Sequence, residues 1–312
     1  MVSLPVPVAR LTKWNAAMCA FHTALAVTTL AVGNRELRVP VYASTVGLNV
    51  GGNSTRSWAL VPGAAERASW LYLTYLCASF FLLSALAHLG NGFIWRKHYL
   101  RALENAYAPF RWIEYSFSAS VMILILAYTS GTINQSVLVL LFSLTFVTMT
   151  FGHLHEVVCR PASLEAWSIE NKLWRLQAHL FGYVPQLFAW GVLIAQFMEA
   201  GGASTTDAQG NTRQMPAFVY GIVFGELLIF WSFGIVQLVV SLRPPSKYYQ
   251  GEIAYMCARL ACLKHTHLPV SFESMCPSYP RRWLSLFAKG FLGIIVLSNV
   301  LVLGRFTEIF ES

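Results

Sequence analysis

The sequence predicts an all-α membrane protein. The expected fold is a bundle of seven transmembrane helices with a cytoplasmic N-terminus and a short β-hairpin in the first outer loop. Three observations predict it. Hydrophobic residues make up 56% of the chain and charged residues 12%, far from the balance of a soluble domain. Seven apolar segments are long enough to cross a bilayer, since about 20 such residues span the hydrocarbon core. Lysines and arginines fall unevenly on the loops between those segments. A polytopic bundle is one unit, so residues 1–312 are expected to form a single domain. The net charge of +8 belongs to loop residues and does not call for nucleic acid as a partner. Met1 to Ala9 contain two prolines and precede Arg10 and Lys13, the reverse of a cleavable signal. The first apolar segment therefore serves as its own anchor.

The spans fall near 14–33, 69–93, 111–130, 136–157, 179–199, 217–241 and 283–304. They are hydrophobic nearly all round, as helices in lipid are. His153, His155, His179 and Pro185 interrupt the fourth and fifth, which leaves their ends loosely defined. With seven spans, the loops on the N-terminal side carry fifteen basic residues: Arg10, Lys13, Arg96, Lys97, Arg101, Arg111, Arg160, Lys172, Arg175, Arg243, Lys247, Arg259, Lys264, Arg281 and Arg282. The opposite side carries six: Arg35, Arg38, Arg56, Arg67, Arg213 and Arg305. That asymmetry places the N-terminus in the cytoplasm and the C-terminus outside.

The outer loop from Asn34 to Ser69 is long, and Leu37 to Val46 alternates with β-branched residues. It reads as a short hairpin over the bundle, with Gly51-Gly52-Asn53 as turn material. Asn53-Ser54-Thr55 is a glycosylation tripeptide on the outer side, a weak signal by itself. None of the six cysteines lies in an outer loop, so no structural disulfide is expected. Cys257, Cys262, His265, His267 and Cys276 in the last inner loop match no standard zinc spacing, and no metal site is expected there.

The last span contains one fixed charge, Lys289, seven positions past Arg282, or about 10 Å along a helix. An ammonium at that depth is costly and usually faces an interior. The alternative is that its long stem snorkels to the headgroups. Ser285, four residues earlier, shares its helix face. Desolvation disfavours a charged ammonium, which suits a lysine to imine formation with an aldehyde. The third span opens Arg111-Trp-Ile-Glu114-Tyr115-Ser116-Phe-Ser118 and places Glu114 near the inner face, at a depth that matches Lys289. The first span adds His22 at that level, and the second adds Ser84 and His88 one turn apart. Each residue alone has a plainer reading, since a single histidine in an apolar helix is more often structural. The coincidence of depth singles the set out. Phe181, Tyr183, Phe188, Trp190, Phe224, Phe230, Trp231 and Phe233 offer material for an apolar slot. Gly152 is either room for a flat ligand or a packing site.

These residues resemble the heliorhodopsins, retinal-binding seven-helix photoreceptors with an inverted orientation. The resemblance rests on Arg111 to Ser116, on Ser285-Leu-Phe-Ala-Lys289, on His22, on Ser84 with His88, and on the long first outer loop. It implies retinal as a protonated Schiff base on Lys289, with Glu114 as counterion and Ser285 close to the imine. Tyr115 and Ser118 would line the cofactor on the third helix. His22 and His88, with Ser84, would form the region that accepts a proton. It also implies a homodimer with the hairpin at its interface, a cytoplasmic signalling partner and no enzymatic activity. The last inner loop is longer than the family pattern. Pump-type rhodopsins carry an Asp where Ser285 stands and further carboxylates along the third helix, and this sequence has neither. Light sensing is therefore the expected function. The alternative is a light-gated proton path through Glu114, with Glu226 deep in the sixth span and Glu199 at the outer end of the fifth.

Overall fold

The computed structural model describes residues 7–50, 58–159, 172–202, 205–206, 212–213, 217–242 and 248. Six described helices are long and apolar enough to cross a membrane. These are α1 (Val8–Val32), α2 (Leu73–Leu89), α4 (Pro109–Thr129), α5 (Gln135–Cys159), α7 (Gln177–Gly202) and α8 (Ala217–Leu242). A π-helical turn, Gly90–Ile94, prolongs α2. Two shorter helices, α3 (Arg96–Glu104) and α6 (Lys172–Arg175), lie between the long ones. The expected span 283–304, with Ser285 and Lys289, lies outside the described residues. So do the Gly51-Gly52-Asn53 turn, the glycosylation tripeptide, and the cysteines and histidines of the last inner loop.

Several boundaries differ from expectation, each for a physical reason. Helix α1 starts at Val8 and takes Arg10 and Lys13 into its first turns. A helix needs apolar surface only where it meets hydrocarbon, and its end extends into the headgroup region. The second span begins at Leu73, because residues 69–72 belong to a strand. Ser69-Trp-Leu-Tyr72 is apolar enough for a helix start, and a short apolar run does not reveal its period. The segment 94–111, expected as a loop, contains α3, which buries Tyr99 and Leu103 while Lys97 and Arg101 are exposed. Helix α5 runs unbroken through His153 and His155, and α7 continues through Pro185.

The loop between α1 and α2 forms a β-ribbon longer than the expected hairpin. Strand β1 (Arg38–Ala43) pairs antiparallel with β4 (Glu66–Tyr72), from Arg38 opposite Tyr72 to Ala43 opposite Glu66. Strand β2 (Val46–Val50) continues the leg and pairs with β3 (Trp58–Pro62). The expected residues 37–46 thus fall on one leg, which runs on to Val50, and the return leg comes from 58–72. The ribbon is fastened to the bundle where Tyr42 N–H donates to the Ile133 carbonyl at 2.9 Å and Asn134 Nδ2 donates to Ser44 Oγ at 2.8 Å. Asn134 also caps α5, its Oδ1 accepting from the Ser136 N–H at 2.9 Å. A further two-residue pair, β5 (Thr205–Thr206) with β6 (Thr212–Arg213), lies between α7 and α8.

Packing runs from α1 to α2, α2 to α4, α4 to α5 and α5 to α7. Helix α8 meets α7 through Trp190 against Phe230 and Phe197 against Tyr220. The main core gathers Phe80, Phe81, Ile123, Leu126, Trp190, Leu193 and Phe197. A second cluster joins Leu11, Tyr99, Leu103, Ala108 and Tyr248. Leu82, Leu86, Leu180 and Leu228 point outward, as lipid-facing residues do.

Candidate functional site

Helices α1, α2 and α4 bring four of the expected polar residues together. Ser84 Oγ donates to Glu114 Oε1 at 2.8 Å, across from α2 to α4. Ser84 is fully buried and Glu114 half-buried. One turn along α2, the His88 ring lies parallel to the His22 ring of α1, with centroids 5.7 Å apart and planes 8° apart. His88 Nδ1 and Asn15 Oδ1 are 2.9 Å apart. Asn15 precedes His22 by seven residues, two helical turns, so both lie on one face of α1. Asn15 is a residue that sequence reasoning missed. Its signal was available: a side-chain amide two turns before a histidine on one helix face.

An apolar cavity lies beside this layer. Trp112, Tyr115, Ser118 and Met122 of α4 form one wall, and Phe80 closes it from α2. Thr148, Met149 and Gly152 of α5 contribute, as do His179, Tyr183 and Gln186 of α7. Phe230, Trp231, Phe233 and Gln237 of α8 complete the lining. Tyr115 meets Phe233 edge-on at 5.7 Å. Ser118, which lines the cavity, lies one turn beyond Glu114 on the same side of α4. The aromatic material expected for this slot divides. Tyr183, Phe230, Trp231 and Phe233 line it, and Trp190 is buried against Phe230. Phe181, Phe188 and Phe224 face outward, with 60%, 64% and 42% of their surface exposed. Composition places an aromatic on a helix, and only the packing of neighbours sets which face is inside. Gly152 is a packing site: a Cβ there would overlap the Trp112 ring.

A second polar cluster was not expected. Arg111, one of the fifteen charges counted on the loops, is buried in the first turn of α4 and pairs with Glu156 of α5. That leaves fourteen inner charges against six outer ones, from the fifteen counted above less Arg111. Glu156 Oε2 also accepts from the Ala108 N–H at 3.0 Å, and Oε1 from the Tyr248 hydroxyl at 2.8 Å. An acid near the C-terminal end of an apolar span, matched in depth to Arg111, was the available sign. Nearby, His155 Nε2 lies 2.5 Å from Ser241 Oγ, and Cys159 Sγ lies 3.4 Å from His155 Nδ1. Breaking a buried pair leaves a charge uncompensated and costs about 3–5 kcal/mol. Glu156→Gln is therefore expected to lower the denaturation midpoint in detergent by a corresponding amount. Replacing Arg111 and Glu156 together by Met is expected to restore most of it. A loss below about 1 kcal/mol in the single variant would mean that the pair is solvated.

The two expected outer acids are not joined. Glu226 is fully buried, and neither carboxylate oxygen has a hydrogen-bond partner among the described residues. Glu199 is exposed, with Gln196 Nε2 at 3.4 Å.

No curated protein matches the chain. The heliorhodopsin family model matches residues 11–264, more than half of the 312 residues. That stretch contains the layer of His22, Ser84, His88 and Glu114 as well as the cavity. It ends before the last apolar segment. By that match the chain belongs to the heliorhodopsins, multi-pass membrane photoreceptors of seven helices that bind retinal as a Schiff base on a lysine.

Proposed function

We propose that this chain is a light sensor in which Lys289 holds retinal, Glu114 is its counterion and His22 with His88 receives a proton. The observation that carries the reading is the Ser84–Glu114 hydrogen bond, set beside a parallel histidine pair at the edge of an apolar cavity. The cavity fits the cofactor, because aromatic and aliphatic residues make up most of its walls and Ser118 lines it one turn from Glu114 along α4. When bound, retinal supplies light-driven isomerisation and a titratable nitrogen on its lysine. Everything else is asked of the protein. Glu114 supplies the negative charge that a cation in low dielectric requires. Ser84 donates to that carboxylate and fixes its position. Tyr115 and Ser118 line the slot from α4.

The histidine pair is suited to hold one proton at a time. Two charged imidazoles at their 5.7 Å separation repel by about 3 kcal/mol at an effective dielectric of ~20. We place the N-terminus in the cytoplasm on the loop charges, fourteen inner against six outer. Ser285 stands near the lysine nitrogen in this reading, and residues 1–312 form one seven-helix domain. The partners are a second copy of the chain along the β-ribbon and a cytoplasmic protein that reads the inner loops.

Proton conduction through Glu226 and Glu199 has less support, since no hydrogen bond among the described residues leads from Glu226 to either Glu199 or Glu114. Illuminated cells under voltage clamp test the choice. The expected result is no photocurrent at any holding potential or pH gradient. A proton current that Glu226→Gln abolishes, while the visible band remains, would replace the sensor by a conductor.

A further inference from the structure

We propose that Asn15 is a positioning residue that holds His88 in the tautomer with its proton on Nδ1. The inference rests on the reading of His88 as a proton acceptor and deepens it, because it says which nitrogen does the accepting.

The orientation of the amide comes first. Asn15 Nδ2 donates to the Leu11 carbonyl at 3.0 Å, one turn back along α1. A carbonyl oxygen only accepts, so the amino end of the amide must face Leu11. The oxygen end then faces α2, where His88 Nδ1 lies 2.9 Å from it. An amide oxygen also only accepts, so Nδ1 is the nitrogen that carries hydrogen. In a neutral imidazole the lone pair is then on Nε2, and an arriving proton goes there.

The surroundings favour this arrangement. Asn15 is 1% exposed, so bulk water does not compete for its oxygen. Its place two turns before His22 lets one face of α1 supply both the amide and the stacked ring. Gly92, in the π-helical turn after α2, leaves room for the close approach of the two helices. A Cβ at Gly92 would stand only 3.3 Å from Asn15 Cβ. A fixed tautomer removes a rearrangement from the proton transfer, as the second partner of a catalytic histidine does in hydrolytic enzymes.

The test uses the full chain, loaded with retinal in lipid bilayers and labelled with 15N-histidine. Solid-state NMR reads the tautomer, and the His88 signals are those lost in His88→Phe. In the dark protein the expected spectrum has a protonated Nδ1 and a bare Nε2. Asn15→Leu removes the acceptor and is expected to move the proton to Nε2. Asn15→Asp keeps an acceptor against the ring and is expected to keep the proton on Nδ1. A parent spectrum with the proton on Nε2 overturns the proposal with no variant needed, and so does an unchanged tautomer in Asn15→Leu. Flash photolysis separates this inference from the reading beneath it. The rise or decay of the blue-shifted transient is expected to change about tenfold in Asn15→Leu and in the double variant His22→Phe, His88→Phe. A switched tautomer with parental kinetics in both would keep the role of Asn15 and remove that of the histidines.

Discussion

Replacing Glu114 by Gln is expected to lower the pH at which the visible band is lost by about 1–3 units. The sign follows from the charge. A carboxylate next to a cationic nitrogen favours its protonated form, and a neutral amide of the same shape does not. With the anion gone, the proton leaves at lower pH, so the absorbing species disappears on the acid side of the parental midpoint. Each unit is a tenfold change in the protonation equilibrium. The Ser84 hydroxyl donates to the same carboxylate at 2.8 Å. Ser84→Ala removes one neutral donor to that anion and is expected to shift the midpoint by less. The titration is run without chloride, because a halide in the vacated space would stand in for the carboxylate. A Glu114→Gln band that titrates with the parent would sink the counterion assignment.

Loss of the visible band altogether is expected for Lys289→Ala. The chain has six lysines, Lys13, Lys97, Lys172, Lys247, Lys264 and Lys289, and Lys289 is the one inside an apolar span. A lysine that meets a cofactor in a membrane cavity must reach it from bilayer depth, where an ammonium is otherwise costly. The comparison that matters is with Lys264, the last residue of the family match. Apoprotein of each variant, mixed with retinal, is read by absorbance. The band is expected in Lys264→Ala and not in Lys289→Ala, while circular dichroism reports helix content in both. A band that survives Lys289→Ala and vanishes in Lys264→Ala would move the attachment point.

How much of this protein was legible without coordinates depended on the range of the physics involved. Spans are a property of consecutive residues in a solvent that tolerates no unpaired backbone, so hydropathy located the six described long helices to within a few residues. Depth along a helix is also local, at about 1.5 Å per residue. Counting from the charged ends therefore placed His22, Ser84, His88 and Glu114 in one layer, and helices α1, α2 and α4 do bring them together. Rotation about the helix axis is not local. All-round hydrophobic helices give no moment to orient them, so Phe181 and Phe188 looked as much like slot material as Tyr183 and Trp231. Packing of α7 against α5 and α8 decided that the first two face lipid. The same limit hid the Arg111–Glu156 pair, whose partners are 45 residues apart and belong to different helices. The ribbon divides in the same way: alternation marked one leg at 37–46, and the pairing that chose 58–72 as its mate is a contact between distant residues. Asn15 is the sharpest case. Its residue type and depth can be read from the chain. Its amide orientation is set jointly by the Leu11 carbonyl and the His88 ring, and the ring belongs to another helix. Residue type and depth travel with the chain, whereas the direction in which a side chain points is settled by the helix that packs against it.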